Sequence, residues 1–250
     1  MITINTNPAY WCGVIPEPGV LGVEESGIIK ATEPCKEFFD WFPYVRPSIN
    51  QQGESCVGWS FAHWFTGMQI RYGDPEPFDD GWYLDGQAVW IRGREMFWGG
   101  DMKGGLYLPQ GFRAAASLGI IPNDSRIMRV APDWDSVGLV LRDTPILQGH
   151  AIHEGWFRAN TVNGCIDHAP LASGSNGYHA TLRVARLIQE ADKRFFVLQN
   201  SWGAGWAFAG YGVMSESEDK EGLMQPGLYT ARMGPGWITS QEWRKYLKKT

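Results

Sequence analysis

The feature that most constrains the fold is one continuous stretch, residues 197–211. It reads Val-Leu-Gln-Asn-Ser-Trp-Gly-Ala-Gly-Trp-Ala-Phe-Ala-Gly-Tyr. One polar residue in an apolar setting, Asn200, is followed closely by Trp202 and then by three glycines, Gly203, Gly205 and Gly210. Glycine accepts the positive φ angles that a tight hairpin requires. The stretch therefore predicts a β-hairpin that fixes an amide side chain beside an aromatic ring.

A second constraint is a cysteine at the predicted start of a helix. After Ser55, apolar residues recur at helical intervals, and Gly73-Asp74-Pro75 is a stop signal. At a helix N-terminus, the backbone N–H groups and the helix dipole lower the pKa of a thiol and favour the nucleophilic thiolate. A cysteine is by residue type more often a small buried apolar side chain. The position of Cys56 favours a reactive thiol.

The remaining patterns indicate an α+β chain with helices first and strands later. Residues 82–98 predict a second helix, and a third begins near Pro109 and stops at Gly119. From about residue 130, β-prone stretches alternate with turn residues. These stretches are Val137–Val140, Thr144–Leu147, His179–Leu187, Phe195–Gln199 and Tyr211–Met214.

Composition argues against several classes of protein. The chain has 250 residues, of which 44% are hydrophobic, which suffices for a packed core. Its net charge of -5 argues against electrostatic binding of nucleic acid or of an anionic membrane. The N-terminus lacks the pattern of a signal peptide, and no apolar run is long enough to span a bilayer. We therefore expect no nucleic-acid or membrane partner and a cytoplasmic location on synthesis.

The cysteines are few and widely spaced. The four of them, Cys12, Cys35, Cys56 and Cys165, form no C-x-x-C pair. This spacing argues against a zinc site and against a dense disulfide framework. We expect neither a metal nor a cofactor, and reducing surroundings.

The hairpin stretch closely resembles the Asn-Ser-Trp-Gly-x-Gly-Trp signature of papain-like cysteine peptidases. The resemblance implies that Asn200 orients a catalytic histidine and that Trp202 covers their hydrogen bond. The segment Gly177-Tyr-His-Ala180 is similar to the family's catalytic histidine block, so His179 is the implied base. The other histidines fit no such context, and we expect surface or hydrogen-bonded core positions for them: His63, His150, His153 and His168.

The segment around Cys56 resembles the family's nucleophile block but leaves two questions open. In the family a Gln six residues before the Cys supplies an oxyanion N–H; here Gln51 and Gln52 lie five and four residues before it. The pair Asn50-Gln51 favours Gln51. An ungapped alignment would put Gly58 at the nucleophile position and predict an inactive protein. Similarity of Ser-Cys-Val-Gly to bacterial and phage relatives favours Cys56.

A glycine pair resembles a further family segment, which presents bare backbone to an extended substrate. Here the pair is Gly104-Gly105, placed before the helix that starts near Pro109. Residues 1–45 are rich in Pro and Gly, and they are too short and irregular for the helical inhibitory pro-segment of the family.

The resemblance implies a papain-like two-lobe fold, with a helical lobe facing a β-barrel-like lobe. We expect an N-terminal arm (1–45), a helical lobe with the nucleophile (46–130), a β-rich lobe with His179 and Asn200 (131–215) and a C-terminal extension (216–250). The implied function is thiol-dependent hydrolysis of peptide or isopeptide bonds in a peptide or protein substrate. A catalytically silent scaffold and an acyl transferase that cross-links amines remain alternatives. By analogy alone, short phage-type relatives suggest an assembly partner and association with a virion.

Overall fold

The computed structural model describes residues 27–167, 177–232 and 242–249. Within these ranges the α-helices are α1 (Cys56–Tyr72), α2 (Glu76–Asp79), α3 (Gly86–Trp98), α4 (Leu108–Ser117), α5 (Trp134–Leu141), α6 (Glu154–Phe157) and α7 (Glu216–Gly222). The strands are β1 (Ile28–Ile29), β2 (Trp82–Leu84), β3 (Arg126–Val130), β4 (Ile146–Ala151), β5 (Tyr178–Gln189), β6 (Lys193–Gln199), β7 (Tyr211–Ser215), β8 (Leu223–Arg232) and β9 (Leu247–Lys249). Short 3-10 helices cover Glu190–Asp192 and Glu242–Tyr246.

The main sheet has seven strands in the order β1-β3-β8-β4-β5-β6-β7. Neighbouring strands are antiparallel except β1, which runs parallel to β3. A second sheet pairs β2 with β9. The α+β class is as predicted. In the described part of the chain the main sheet keeps two edges, β1 and β7, so it is open where a barrel-like lobe was expected.

Helix α1 passes through the middle of the molecule and carries the candidate nucleophile. It begins at Cys56 and ends at Tyr72, as the sequence pattern predicts. Every residue from Cys56 to Gln69 is buried, because α3 and α4 cover one side of the helix and strand β5 covers another. A helix that is buried all round can hold its first residue at a fixed place in the interior.

Two short apolar stretches adopt a different structure from the one predicted. Val137–Val140 belongs to helix α5, because the Asp133 side chain caps that helix by accepting from the Ser136 N–H at 2.8 Å. A run of four apolar residues does not distinguish a strand from a buried helix. Similarly, residues 82–84 form strand β2, and α3 starts only after the cap at Asp85.

Segments on both sides of the two expected lobes contribute strands to the main sheet and side chains to the core. In the N-terminal arm, β1 joins the sheet, and buried Trp41 donates from Nε1 to the Leu141 carbonyl at 2.8 Å. Strand β3, assigned to the helical lobe, is also part of the sheet. In the expected extension, β8 lies between β3 and β4, and buried Trp243 packs on Phe65 and Phe78. Strand pairing between distant segments produces no local sequence pattern, so it could not be predicted from the sequence.

Within the described ranges, no single helix is both long enough and apolar enough to cross a bilayer.

Candidate active site

Cys56 is the first residue of α1 and is fully buried. The turn before it is closed by Ser55, whose Oγ donates to the Gln52 carbonyl at 2.6 Å. The Cys56 sulfur accepts a hydrogen bond from the backbone N–H of Ala180 at 3.3 Å. Ala180 follows His179 on β5. The sulfur therefore lies where the N-terminus of the central helix meets the strand that carries the candidate base.

Gly58 points in a different direction from Cys56. A Cβ atom on Gly58 would overlap the Gly86 carbonyl oxygen and lie 3.0 Å from the Trp90 nitrogen, so this residue faces α3. Helix geometry separates residues two apart by about 200° around the axis. Cys56 contacts β5 through the Ala180 N–H, whereas Gly58 faces α3. The close contact with α3 also explains the glycine, because only a residue without a side chain lets α1 and α3 approach this closely.

His179 and Asn200 are joined by a buried hydrogen bond. His179 Nε2 lies 2.6 Å from Asn200 Oδ1, and neither residue is exposed. The same amide oxygen accepts from the Ser201 N–H at 2.7 Å, which is consistent with this orientation of the amide. An amide oxygen only accepts, so Nε2 carries the proton and Nδ1 holds a lone pair in the neutral ring. Among the described residues, Nδ1 has no hydrogen-bond partner.

The burial of His179 determines its charge. Desolvation lowers the pKa of His179 to about 4, and the hydrogen bond with Asn200 raises it in part. Near neutral pH the ring is therefore uncharged. A neutral imidazole with an unprotonated Nδ1 is the form that can accept a proton from a thiol.

Trp202 lies over the His179 ring, with 4.6 Å between ring centroids and 34° between ring planes. On the Trp202 ring, Phe157 stacks at 5.9 Å with an interplanar angle of 3°. Fully buried Trp156 packs edge-on against both His179 and Trp202. This aromatic packing keeps water away from the hydrogen bond between His179 and Asn200, which strengthens that bond.

The predicted hairpin connects β6 to β7 in antiparallel register. Of its three glycines, Gly203 and Gly210 have positive φ angles, 78° and 89°, whereas Gly205 does not. Two alanines, Ala207 and Ala209, take left-handed angles of 45° and 53° that residues with a side chain rarely adopt. The loop is therefore held in a defined shape by its surroundings, and this shape carries Asn200 and Trp202.

Gln51 and Gln52 have different environments. The Gln51 side chain accepts from Ser201 Oγ at 2.6 Å and donates from Nε2 to the Gly53 carbonyl at 2.8 Å, and its backbone N–H donates to the Ser201 carbonyl. These bonds place Gln51 next to the loop that carries Asn200. Gln52 is exposed. The structure brings Gln51 to the site.

The glycine pair does not present bare backbone, contrary to the expectation. The Gly104 carbonyl accepts from Trp90 Nε1 at 3.2 Å, and the Gly105 carbonyl accepts from Arg94 Nη1 at 2.8 Å. The Gly104 N–H donates to the Glu54 carboxylate. Glu54, an acidic residue two positions before Cys56, was not among the predicted site residues.

The other histidines and cysteines lie outside this constellation. His150 contacts two backbone carbonyls, His153 accepts from the Gly155 N–H at the start of α6, and His63 is buried in α1. Cys35 and Cys165 form no disulfide. His168 and Cys12 fall outside the described residues. In the ranges that the structure covers, no group of three or more His, Cys, Asp or Glu side chains could hold a metal ion.

The architecture is similar to that of known cysteine proteases. No protein-family profile and no curated protein matches the sequence. Among solved structures, the cysteine protease xylellain from Xylella fastidiosa superimposes with a TM-score of 0.67 at 17% identity, over 90% of this chain and 97% of that one. A procathepsin B from Trypanosoma congolense gives 0.66 at 11% identity, over 92% and 90%.

The bromelain protease from Ananas comosus, solved with the E64 inhibitor, gives a TM-score of 0.57 at 18% identity. That match covers 79% of this chain and 99% of bromelain. At these identities the likeness establishes the fold and nothing finer. The chain has the papain-like cysteine protease fold.

Proposed function

We propose that the protein is a thiol-dependent peptidase in which Cys56, His179 and Asn200 form the catalytic triad. One observation carries the proposal: the Cys56 sulfur, at the start of α1, is 3.3 Å from the nitrogen of the residue that follows His179. His179 is in turn fixed through Nε2 by Asn200. A nucleophile, a base and a group that orients the base are the parts required for covalent acyl transfer.

In the proposed reaction, His179 Nδ1 accepts the thiol proton while the sulfur attacks the carbonyl carbon of the substrate. The carbon–nitrogen bond then breaks, and the proton passes from Nδ1 to the leaving amine. His179 Nδ1 next takes a proton from water, whose oxygen attacks the thioester carbonyl carbon. The carbon–sulfur bond then breaks, the acid product leaves, and Nδ1 returns its proton to the Cys56 sulfur. Asn200 acts by orientation, since it holds Nε2 in its protonated form throughout.

The oxyanion would be stabilised by the Gln51 side chain and the Cys56 backbone N–H. Gln51 Nε2 carries two hydrogens, and the bond to Gly53 uses one of them. The Cys56 N–H lies at the positive end of the α1 dipole. Loss of one such donor reduces turnover by roughly 10²- to 10³-fold in other acyl-transfer enzymes.

Both Cys56 and His179 are completely inaccessible to solvent in this structure. A substrate can therefore reach the sulfur only after a local opening of the cleft. The same burial is the observation that favours a second candidate function, a papain-fold scaffold without catalysis. The two candidates differ in whether the thiol can be reached and activated.

Thiol alkylation separates these candidates. A peptidase should incorporate iodoacetamide at Cys56, located by mass spectrometry, with a rate that exceeds that of Cys35 and Cys165. Variant Cys56→Ser should lose this label and all peptide hydrolysis, whereas Cys35→Ser should keep both. Hydrolysis that persists in Cys56→Ser refutes the assignment. A folded wild-type protein with an inert Cys56 supports the scaffold.

A further inference from the structure

A cavity lies between α1 and strand β2. Its volume is about 130 Å³. On the side of α1, the lining residues follow one stripe at helical spacing: Trp59, Ala62, His63 and Thr66. The opposite wall comes from α2, from β2 and from the residues just before Asn50. The cavity is therefore built from elements that are distant in the sequence.

The cavity is separate from the proposed catalytic triad. His63 lies seven residues after Cys56 on α1, so the rise of the helix separates their Cα atoms by about 10 Å. Among the described residues that line the cavity, none is Cys56, His179 or Asn200. A ligand in this cavity would thus not occupy the place of a peptide bond at the sulfur.

Two residues of the α1 stripe carry buried polar atoms without a partner. His63 is 7% exposed and Trp59 is 5% exposed. Among the described residues, neither ring nitrogen of His63 and no acceptor for Trp59 Nε1 takes part in a hydrogen bond. Buried polar groups in native proteins are nearly always hydrogen-bonded. Two such side chains, one turn apart and lining the same cavity, indicate a site for a ligand with hydrogen-bonding groups.

The charges around the cavity favour a neutral ligand. Desolvation by burial lowers the pKa of His63 to about 4, so the ring is uncharged near neutral pH. A neutral imidazole offers one N–H donor and one acceptor, whereas an indole nitrogen only donates. Arg46, the cationic residue of the lining, pairs with the Asp79 carboxylate. A matching ligand therefore has no net charge and can both donate and accept.

The rest of the lining is mainly aromatic and sets the size of the ligand. Phe78, Trp82 and Tyr83 line the cavity together with Trp59, and the rings of Trp59 and Tyr83 are 5.8 Å apart. Aromatic rings attract one another in offset or edge-on contacts. A cavity of roughly 150 Å³ is known to hold one benzene molecule, so this cavity accommodates a single ring. Trp82 is 36% exposed, so this wall of the cavity borders on solvent.

We propose that this cavity is a second ligand site, which binds a neutral single-ring aromatic molecule with a hydroxyl group. The ring packs on the aromatic wall, and the hydroxyl group forms hydrogen bonds with His63 and Trp59. The site needs only the folded chain, so it does not depend on the proposed peptidase function.

Calorimetric titration with three probes tests the chemistry of the ligand. Phenol should bind with one molecule per chain. Benzene keeps the ring without the hydroxyl group and should bind about three- to tenfold more weakly, the size of one net hydrogen bond. Benzoate should bind at least about tenfold more weakly than phenol, because its charge would be buried without a counter-charge. No binding of phenol, or equal binding of phenol and benzene, overturns the proposal.

Two variants test the location of the site. Ala62→Leu places a larger side chain in the cavity and should abolish binding of phenol and benzene alike. His63→Phe keeps a ring without its nitrogens, so the preference for phenol over benzene should fall to within about twofold. Met96→Leu is the control, since Met96 is an exposed residue of α3 outside the lining, and affinities should stay unchanged. Phenol binding that survives in folded Ala62→Leu overturns the proposal.

A measurement on the wild-type protein decides the matter if the variants do not fold. In protein with 15N-labelled histidine, phenol should shift the ring-nitrogen signals of His63. The signals of His153 should stay unchanged, because His153 accepts from the Gly155 N–H at the start of α6 and does not line the cavity. Unshifted His63 signals at saturating phenol would contradict the assignment.

Discussion

His150 and His179 lie directly opposite each other on the neighbouring strands β4 and β5, yet their ring nitrogens meet different partners. Both rings are fully buried, and Trp156 packs against both. The two nitrogens of His150 face the backbone carbonyls of Ala151 and Asp219. Of the two nitrogens of His179, Nε2 contacts the Asn200 amide oxygen, and Nδ1 has no hydrogen-bond partner among the described residues. His179 is suited to proton transfer because one nitrogen is held in place and the other is available. Buried His63 differs, because neither of its nitrogens has a partner among the described residues that would orient the ring.

The surroundings of His150 belong to the structural core. A Cβ on Gly222 would overlap the His150 ring, and the nearby Asp219 carboxylate pairs with fully buried Arg183. Arg183 also donates to Gln148 at 2.7 Å. Both ring nitrogens of His150 lie against carbonyl oxygens, and burial lowers the pKa of His150 while the negative charge of Asp219 raises it in part. No ring nitrogen is therefore turned toward the sulfur.

The largest expected difference is between glutamine variants of the two histidines. His179→Gln should lower kcat/KM by about 10²- to 10⁴-fold, the usual contribution of a general base, and should leave the protein folded. His150→Gln should keep kcat per folded molecule and lower the midpoint of denaturant unfolding. Both quantities are measured on the same preparations. An equal loss of activity in folded His150→Gln would remove the distinction between the two rings.

Asp219→Ala should mainly lower stability. It leaves the guanidinium of Arg183 buried without its counter-charge, which costs about 3–5 kcal/mol of unfolding free energy. Glu154→Ala is the control, because Glu154 pairs with Arg158 on the surface and its loss should cost less than about 1 kcal/mol. Denaturant titration measures both. Equal effects of the two substitutions would show that the region around His150 is not a buried charge network.

The stability of the protein should depend on pH through His179. Its pKa is about 4 when folded and 6.5 in the unfolded chain, so between these values the unfolded state binds more protons. Stability therefore falls as pH falls from 6.5 to 4, by about 3 kcal/mol for this group. In His179→Gln, the change in unfolding free energy between pH 6.5 and pH 4 should be smaller by that amount. An unchanged slope would mean that His179 is not desolvated as described.

The smallest effect concerns the orienting amide. Asn200→Ala should reduce kcat/KM by about 10- to 100-fold while alkylation of Cys56 stays detectable, because the base remains present but is free to turn. The same substitution should leave the His150 contacts intact. Steady-state kinetics measures the loss of kcat/KM, and mass spectrometry of the alkylated protein measures the labelling of Cys56. Full activity in this variant would refute an orienting role for Asn200.

Much of the candidate site could be predicted from the sequence, because each part of the site lies within one short stretch of the chain. The helical period after Ser55 and the glycine-bearing loop after Asn200 each fit within about twenty residues, so both the helix bounds and the hairpin could be predicted. The direction of Gly58 could not, because it depends on contact with Gly86 in another helix. The contact between Glu54 and Gly104 spans fifty residues and was missed for the same reason.

The less predictable part of the fold is the assembly of the main sheet. Val137–Val140 has a strand-like composition, but a side-chain cap at Asp133 makes it helical. The edge strand β1 and the inner strand β8 come from segments that were expected to lie outside the two lobes. The order of the strands depends on which distant segments pack their apolar faces together. This packing cannot be predicted from the local patterns of a single sequence.

The position of β8 has a consequence for how the chain folds as it is synthesised. β8 lies between β3 and β4, and its pairing with β3 joins residues about a hundred positions apart, such as Met128 and Thr230. Until residue 232 has left the ribosome, β3 and β4 lack the strand that joins them, and their edges stay unpaired. Loop closure over this length is slow, and unpaired edges favour aggregation. The segment that contains β8 should thus decide the yield of folded protein during translation.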